Sequence, residues 1–378
     1  MQENEAKIVY LRSNHKYMNK PLNRIAVKVG SNVLTRNDGT LDVTRISALA
    51  DQLVQLDREG IEVILISSGA VAAGRSELQH MKVTLDEVSQ RQLYSAVGQA
   101  KLINRYYELF REHGIAVAQV LTTKENFSTR RHYLTQRNCI LTILQQGVLP
   151  IINENDTISV TELMFTDNDE LSGLVATMLN CQKLIILSNV DGIFTSNPQD
   201  PSAKLLKEIT ANTELEKYIQ TTKSTFGRGG MLTKCRIAQK LADEGVEVII
   251  ANGKRKDILL DLLHAPQNTL CTRFKPVSHK PSSVKKWIAH SKDFAKGAIQ
   301  INECAVKKLL SEEAVSLLPV GVLKIIGEFD KNDIVQILSS DNKIIGLGKV
   351  KMNSDKAKTI LGQKGHKPLV HYDYLYLY

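Results

Sequence analysis

Arg24 to Asn32 reads RIAVKVGSN, and Glu62 to Ala70 reads EVILISSGA. Each is an apolar run, too short for a helix, that stops at small and polar residues. Such runs are strands buried on both faces. Between them, Thr44 to Glu59 carries apolar residues at Ile46, Leu49, Ala50, Leu53 and Leu56. That spacing predicts a helix, which Gly60 closes. Working outward, a long helical region follows Ala70 to about His113. Further strands are expected at Ile115 to Leu121, Val148 to Ile152, Leu184 to Leu187 and Val246 to Ile250. Strands alternating with helices predict an α/β protein, a three-layer αβα sandwich around a mostly parallel sheet. Ligands of such sheets bind beyond the carboxyl ends of the strands. The clusters GSN, SSGA, NEND and SNVDG fall at those ends, and the site is expected there.

The chain has 378 residues, 43% of them hydrophobic, enough for two or three domains. No apolar run reaches the ~20 residues of a membrane span. The first residues, MQENEAKIVYLRSNHKYMNK, lack the apolar stretch of a secretory signal, so a cytoplasmic protein is expected. Residues 1–23 read as an N-terminal extension with no assigned role, and 24–264 as the first domain. Ala265 to Ser283, with Pro266, Pro276 and Pro281, reads as a linker. From residue 284 to 378 the texture changes to short runs such as VLKIIGEF, DIVQILSS and KIIGLGKV, broken by Asp, Asn and Gly. They predict a small β-rich domain. From Lys275 onward there are 17 Lys and no Arg against 10 Asp or Glu. This basic tail raises the question of RNA, although scattered lysines usually mark a solvated surface. Cys139, Cys181, Cys235, Cys271 and Cys304 form no metal-binding spacing and read as inert, buried thiols.

Lys28 lies inside an apolar strand, a costly place unless its ammonium reaches an anion at the strand end. Gly30 would let backbone approach a phosphate there; by itself the pattern more often describes a snorkelling lysine before a turn. Thr225 to Lys234 reads TFGRGGMLTK and opens a helical run. A glycine-rich loop at a helix start presents N–H groups and a positive dipole end to phosphates, or is simply a flexible turn before a capped helix. The segment is not the G-x-x-x-x-G-K-[ST] loop, so it gives no support to that class of NTPase. Asp156 and the run Asp167-Asn168-Asp169 place carboxylates and an amide where phosphoryl transfer needs charge organisation, or form ordinary Asx turns.

Taken in order from about Arg24 to Asn252, the segments VKVGSNVLT, LISSGAVAAGR, SAVGQAKL, LPIINENDTIS, TDNDELSGLVA, LSNVDGIFTSNP and GRGGMLTK resemble the amino acid kinase family. They are most similar to its branch whose acceptor is glutamate. SLLPVGV, the GEF segment and the terminal VHYDYL resemble a PUA domain, a small β-barrel. The resemblance implies ATP and Mg2+ as cofactors, with Mg2+ held mainly by ATP phosphates and water and no protein metal site. It implies transfer of the γ-phosphoryl group to the side-chain carboxylate of L-glutamate, as the first step of proline synthesis, with proline as inhibitor. Lys28, Asp169 and Lys234 would be catalytic, and Ser68, Asp156 and Asn168 would bind glutamate. Lys28, Gly30, Ser188, Asn189, Arg228, Gly229, Gly230, Met231, Leu232, Thr233 and Lys234 would hold ATP. A homodimer or homotetramer, a glutamyl phosphate reductase as downstream partner and RNA through the PUA-like tail complete the implied partners. UMP or aspartate as acceptor, and RNA binding as the main task, are the alternatives. Ser188-Asn189 stands where the family frequently has Thr-Asp, which bears on the nucleotide contacts.

Overall fold

A computed structural model describes residues 23–81, 84–159, 165, 167–210, 231–277, 282–311 and 315–378. Two compact units emerge. The first comprises residues up to 126 and 134–280; the second comprises 127–133 and 281–378.

The first unit begins with β1 (Arg24–Val29), the one-turn α1 (Ser31–Leu34), α2 (Val43–Arg58) and β2 (Glu62–Ser67). α2 buries the predicted apolar stripe, and the Asp42 carboxylate caps it by accepting from the Arg45 N–H at 3.0 Å. Next come α3 (Ala70–Glu77), α4 (Glu87–Glu112), β3 (Val117–Thr122), α5 (Glu125–Ser128), α6 (Arg130–Gln145) and β4 (Leu149–Glu154), with residues 127–133 of α5 and α6 counted in the second unit. The single helical region expected up to His113 is thus two helices, with the start of α4 capped by Asp86. They cross with almost nothing between them. A Cβ on Gly74 would lie 1.8 Å from the Tyr94 carbonyl oxygen, and one on Gly98 1.8 Å from that of Ala70. Only glycine permits so close an approach of two backbones.

α7 (Asn168–Met178), β5 (Lys183–Ser188), β6 (Glu208–Ile209), α8 (Met231–Asp243), β7 (Glu247–Asn252), α9 (Ile258–His264) and β8 (Cys271–Phe274) complete this unit. The sheet order is β3-β4-β2-β1-β5-β7-β8-β6. β1 pairs in parallel with β2 and β5, placing Lys28 opposite Ile66 and Ile186. All pairings are parallel except that of β7 with β8. The core gathers Ile25, Val27, Leu49, Leu53, Leu65 and Ile185, among others, between sheet and helices. Within the stretch that reads as a linker, Cys271–Phe274 form a sheet strand in which Thr272 and Phe274 are fully buried. Four residues among prolines carry too little periodicity to reveal it.

The second unit holds α10 (Ser283–Ala289), β9 (Gly297–Ile301), α11 (Glu303–Leu309), β10 (Val322–Gly327), β11 (Ile334–Leu338), β12 (Ile344–Val350), α12 (Ser354–Thr359) and β13 (Val370–Leu377). Its sheet order is β10-β9-β11-β12-β13, antiparallel except for β9 with β11. An isolated bridge from Leu317 to Val370 ties the segment before β10 to β13. Ile299, Val335, Ile337 and Val370 lie at the centre of its own core. Cys181, Cys235 and Cys271 are buried as expected, whereas Cys139 and Cys304 lie on exposed helix positions. No helix among the described residues is long and apolar enough to cross a membrane.

Candidate active site

The carboxyl ends of β1, β2, β4 and β5 converge with the start of α7. Asp167 sets that start: its Oδ1 accepts from the Asp169 and Glu170 N–H groups at 2.8 and 3.1 Å. The next turn of α7 is buried nearly all round, which fixes Asp169 at 0% exposure. A carboxylate there must be neutralised. Lys28 Nζ lies 2.5 Å from Asp169 Oδ1, and Lys234 Nζ, from the first turn of α8, lies 2.7 Å from Oδ2. The three residues singled out as catalytic are therefore one cluster, drawn from β1, α7 and α8.

Burial alone would push the Asp169 carboxyl up, but the two ammonium groups outweigh it and hold it well below the ordinary carboxylate range. The same carboxylate keeps Lys234 charged against its own desolvation. Asp167 behaves oppositely. Burial, then the negative charge of Asp169, push it up to about 7. Among the described residues its Oδ2 has no hydrogen-bond partner, and neither does Asn168 Oδ1. Buried polar atoms of native proteins rarely stay unpaired, so each of these two can take a further hydrogen bond.

Asn168 Nδ2 donates to Ser68 Oγ and to Asn153 Oδ1, both at 2.9 Å. Asn153 Nδ2 in turn donates to Gln99 Oε1 at 2.8 Å. Two of the three predicted glutamate residues thus touch. Asp156 stands in the turn after β4, where Arg91 of α4 pairs with it closely and with Glu154 at 3.4 Å. Burial, then the charge of Asp156, raise the Glu154 carboxyl. Sequence reading did not single out Arg91, Ser95 and Gln99, and met Asn153 and Glu154 only as members of the NEND cluster. The first three recur every four residues along α4, a polar stripe that is itself a helical signal.

Gly30 donates its N–H to the Leu187 carbonyl at 3.1 Å, so it offers space rather than a donor. A Cβ there would sit 3.2 Å from that oxygen and 3.7 Å from Lys28 Nζ. Ser188 ends β5 and Asn189 follows it, with Ser188 Oγ 3.4 Å from Asn189 Oδ1. Just beyond them Arg255 grips Asp191 in a two-pronged pair at 2.6 and 2.8 Å, which joins the loops after β5 and β7. Met231, Leu232 and Thr233 open α8 with Lys234. Arg228, Gly229 and Gly230, like the N-terminal extension, lie outside the described residues.

Two lysines sharing one buried carboxylate at the open edge of a parallel sheet form a place for a polyanion. A family model described as the amino acid kinase family matches residues 23–252, and one for the PUA domain matches residues 297–372. Carbamate kinase from Giardia lamblia bound to AMP-PNP has the same fold, with a TM-score of 0.50 at 19% identity over 68% of this chain and 99% of that one. Glutamate 5-kinase of Bacteroides thetaiotaomicron is 64% identical over 95% of this chain and 100% of its own length. That of Chlorobaculum tepidum is 47% identical over 94% and 97%. The chain belongs to the amino acid kinase family and, within it, to the glutamate 5-kinases.

Proposed function

We propose that this kinase transfers the γ-phosphoryl group of ATP to the side-chain carboxylate of L-glutamate. The carrying observation is Asp169, buried and shared by Lys28 and Lys234. A carboxylate oxygen of glutamate attacks the γ-phosphorus, and the bond to the β–γ bridging oxygen breaks. Glutamyl 5-phosphate and ADP result. Glutamate's side chain, with a reference pKa of ~4.3, is already anionic near neutral pH, so no general base is required. That agrees with an Asp169 whose two oxygens both face ammonium groups. Lys28 and Lys234 neutralise the transferring group, and Asp169 sets their spacing. Ser68, Asn168 and Asp156 hold glutamate. Gly30, Ser188, Asn189 and the segment from Arg228 to Lys234 line ATP.

Among the described residues no group of three or more His, Cys, Asp or Glu is placed to hold a metal ion. Asp167 Oδ2, without a hydrogen-bond partner among the described residues, suits a hydrogen bond from water in the shell of an ATP-bound Mg2+. Mg2+, when bound, spreads the charge of the phosphates. As part of this reading the enzyme is cytoplasmic, opens proline synthesis, is a homodimer or homotetramer, passes its product to a glutamyl phosphate reductase, and is inhibited by free proline at the glutamate site.

ATP consumption with Mg2+ and L-glutamate, against aspartate, acetylglutamate, carbamate and UMP, tests the assignment. Hydroxylamine should trap a γ-hydroxamate only with glutamate, and proline should suppress it. Turnover with another acceptor alone would sink the substrate. A second reading, RNA contact through the second unit, draws on Lys349 and Lys351, which lie 5.4 and 5.5 Å from the Tyr374 ring centre. Retention on immobilised RNA at moderate salt tests it.

A further inference from the structure

Asp156, the expected partner of the substrate ammonium, is already paired with Arg91. Both Asp156 and Glu154 are nearly buried, with side chains 8% and 5% exposed. Glu154 has a second tie, since its Oε1 accepts from the Phe165 N–H at 2.9 Å. Among the described residues Asp156 Oδ2 has only the long contact to Ser95 Oγ at 3.4 Å. Arg91 is the more accessible member at 22% exposure, and α4 holds it in place: Gln92 of the same turn donates to the Thr157 carbonyl at 2.7 Å.

Consider what this array accepts. A ligand carrying only an ammonium would take Asp156 and displace Arg91 from the nearest carboxylate among the described residues, leaving it the longer contact to Glu154 at 3.4 Å. One carrying only a carboxylate would leave Asp156 buried without a cation. The second loss is the costlier, because the Asp156 side chain is 8% exposed against 22% for Arg91. A zwitterion satisfies both, because its ammonium goes to Asp156 while its carboxylate meets the guanidinium fork, which suits carboxylates geometrically. We infer that Arg91 is a specificity residue for the free α-carboxylate of the acceptor amino acid, and that the Arg91–Asp156 pair opens to receive the head group charge for charge. This rests on the proposed glutamate reaction and assigns the opposite end of the same substrate.

The test compares L-glutamate with its α-amide, which keeps the ammonium and the γ-carboxylate but is neutral at the α position. ADP formation is measured for the wild-type enzyme, Arg91→Gln and Arg91→Lys. The wild type should favour glutamate over the α-amide by about 10- to 100-fold in kcat/KM, the range of one charge-assisted hydrogen bond. In Arg91→Gln that preference should fall to within about threefold, with the loss in KM for glutamate rather than KM for ATP. Arg91→Lys should keep an intermediate preference. Should Arg91→Gln fail to fold by circular dichroism, Arg91→Lys decides alone, and a ratio equal to that of the wild type overturns the inference. An undiminished preference in Arg91→Gln, or none in the wild type, overturns it while leaving glutamate as the acceptor. No glutamate turnover by the wild type overturns this inference and the parent reading together.

Discussion

Two ion-paired groups stand at the same edge of the first unit's sheet, and their contact distances are nearly equal. Lys28 and Lys234 meet Asp169 at 2.5 and 2.7 Å, while Arg255 meets Asp191 at 2.6 and 2.8 Å. Their surroundings differ. Asp169 is fully enclosed, whereas the Arg255 side chain is 43% exposed. Water can replace a partner lost from the second pair but not from the first. Distance identifies an ion pair, and burial determines what its loss costs.

Asp169→Asn is the strongest way to break this contrast. It leaves two ammonium groups facing each other in a dry site and should cost about 3–5 kcal/mol in denaturant unfolding of the ligand-free protein. A cost near that of a surface pair would mean that solvent reaches the cluster. Lys234→Ala should lower kcat by about 10²- to 10³-fold, the typical loss of one group aimed at transition-state charge. A near-normal kcat would remove Lys234 from the transfer.

A subtler test separates Asp167 from Asp169. An acid whose folded pKa is raised keeps its proton in the folded state after the unfolded chain has released it. Its contribution is therefore present below its ordinary value of 3.8 and is lost as pH rises through about 7. Asp169, held low by its lysines, has the opposite sign and loses its contribution only as pH falls below the ordinary range. Asp167→Asn keeps an oxygen to cap α7. Its Tm should accordingly rise relative to the wild type between about pH 5 and pH 8. A difference independent of pH would contradict the raised pKa. The smallest expected effect is that of Asp191→Asn, within about 1 kcal/mol and shrinking as salt is added, because the pair is screened. A larger, salt-insensitive loss would erase the distinction between the two groups.

The sheet was legible in the sequence because β1, β2, β4, β5 and β7 each hold a short run of mostly apolar residues that ends in small or polar ones. β6 and β8, of two and four residues, left no such trace. Lys28 could be found because a lysine in a buried strand demands an explanation. Arg91 could not be joined to Asp156 by any local pattern, since 65 positions separate them and only the fold closes that gap. Its stripe with Ser95 and Gln99 was visible, but a polar stripe on a helix ordinarily faces water. Here the Ser95 and Gln99 side chains turn inward to serve the turn after β4 and the strand itself.

The bare crossing of α3 and α4 at Gly74 and Gly98 bears on how such an enzyme can change its acceptor. Backbone touching backbone leaves no side chain whose repacking could let α4 slide or roll. The helix is a fixed post, and the reach from Arg91 to the carboxylates beyond β4 is set by the main chain rather than by adaptable packing. Acceptors with a bulkier head group would then have to be admitted by exchanging residues along the post, one at a time, while the post itself stays where it is.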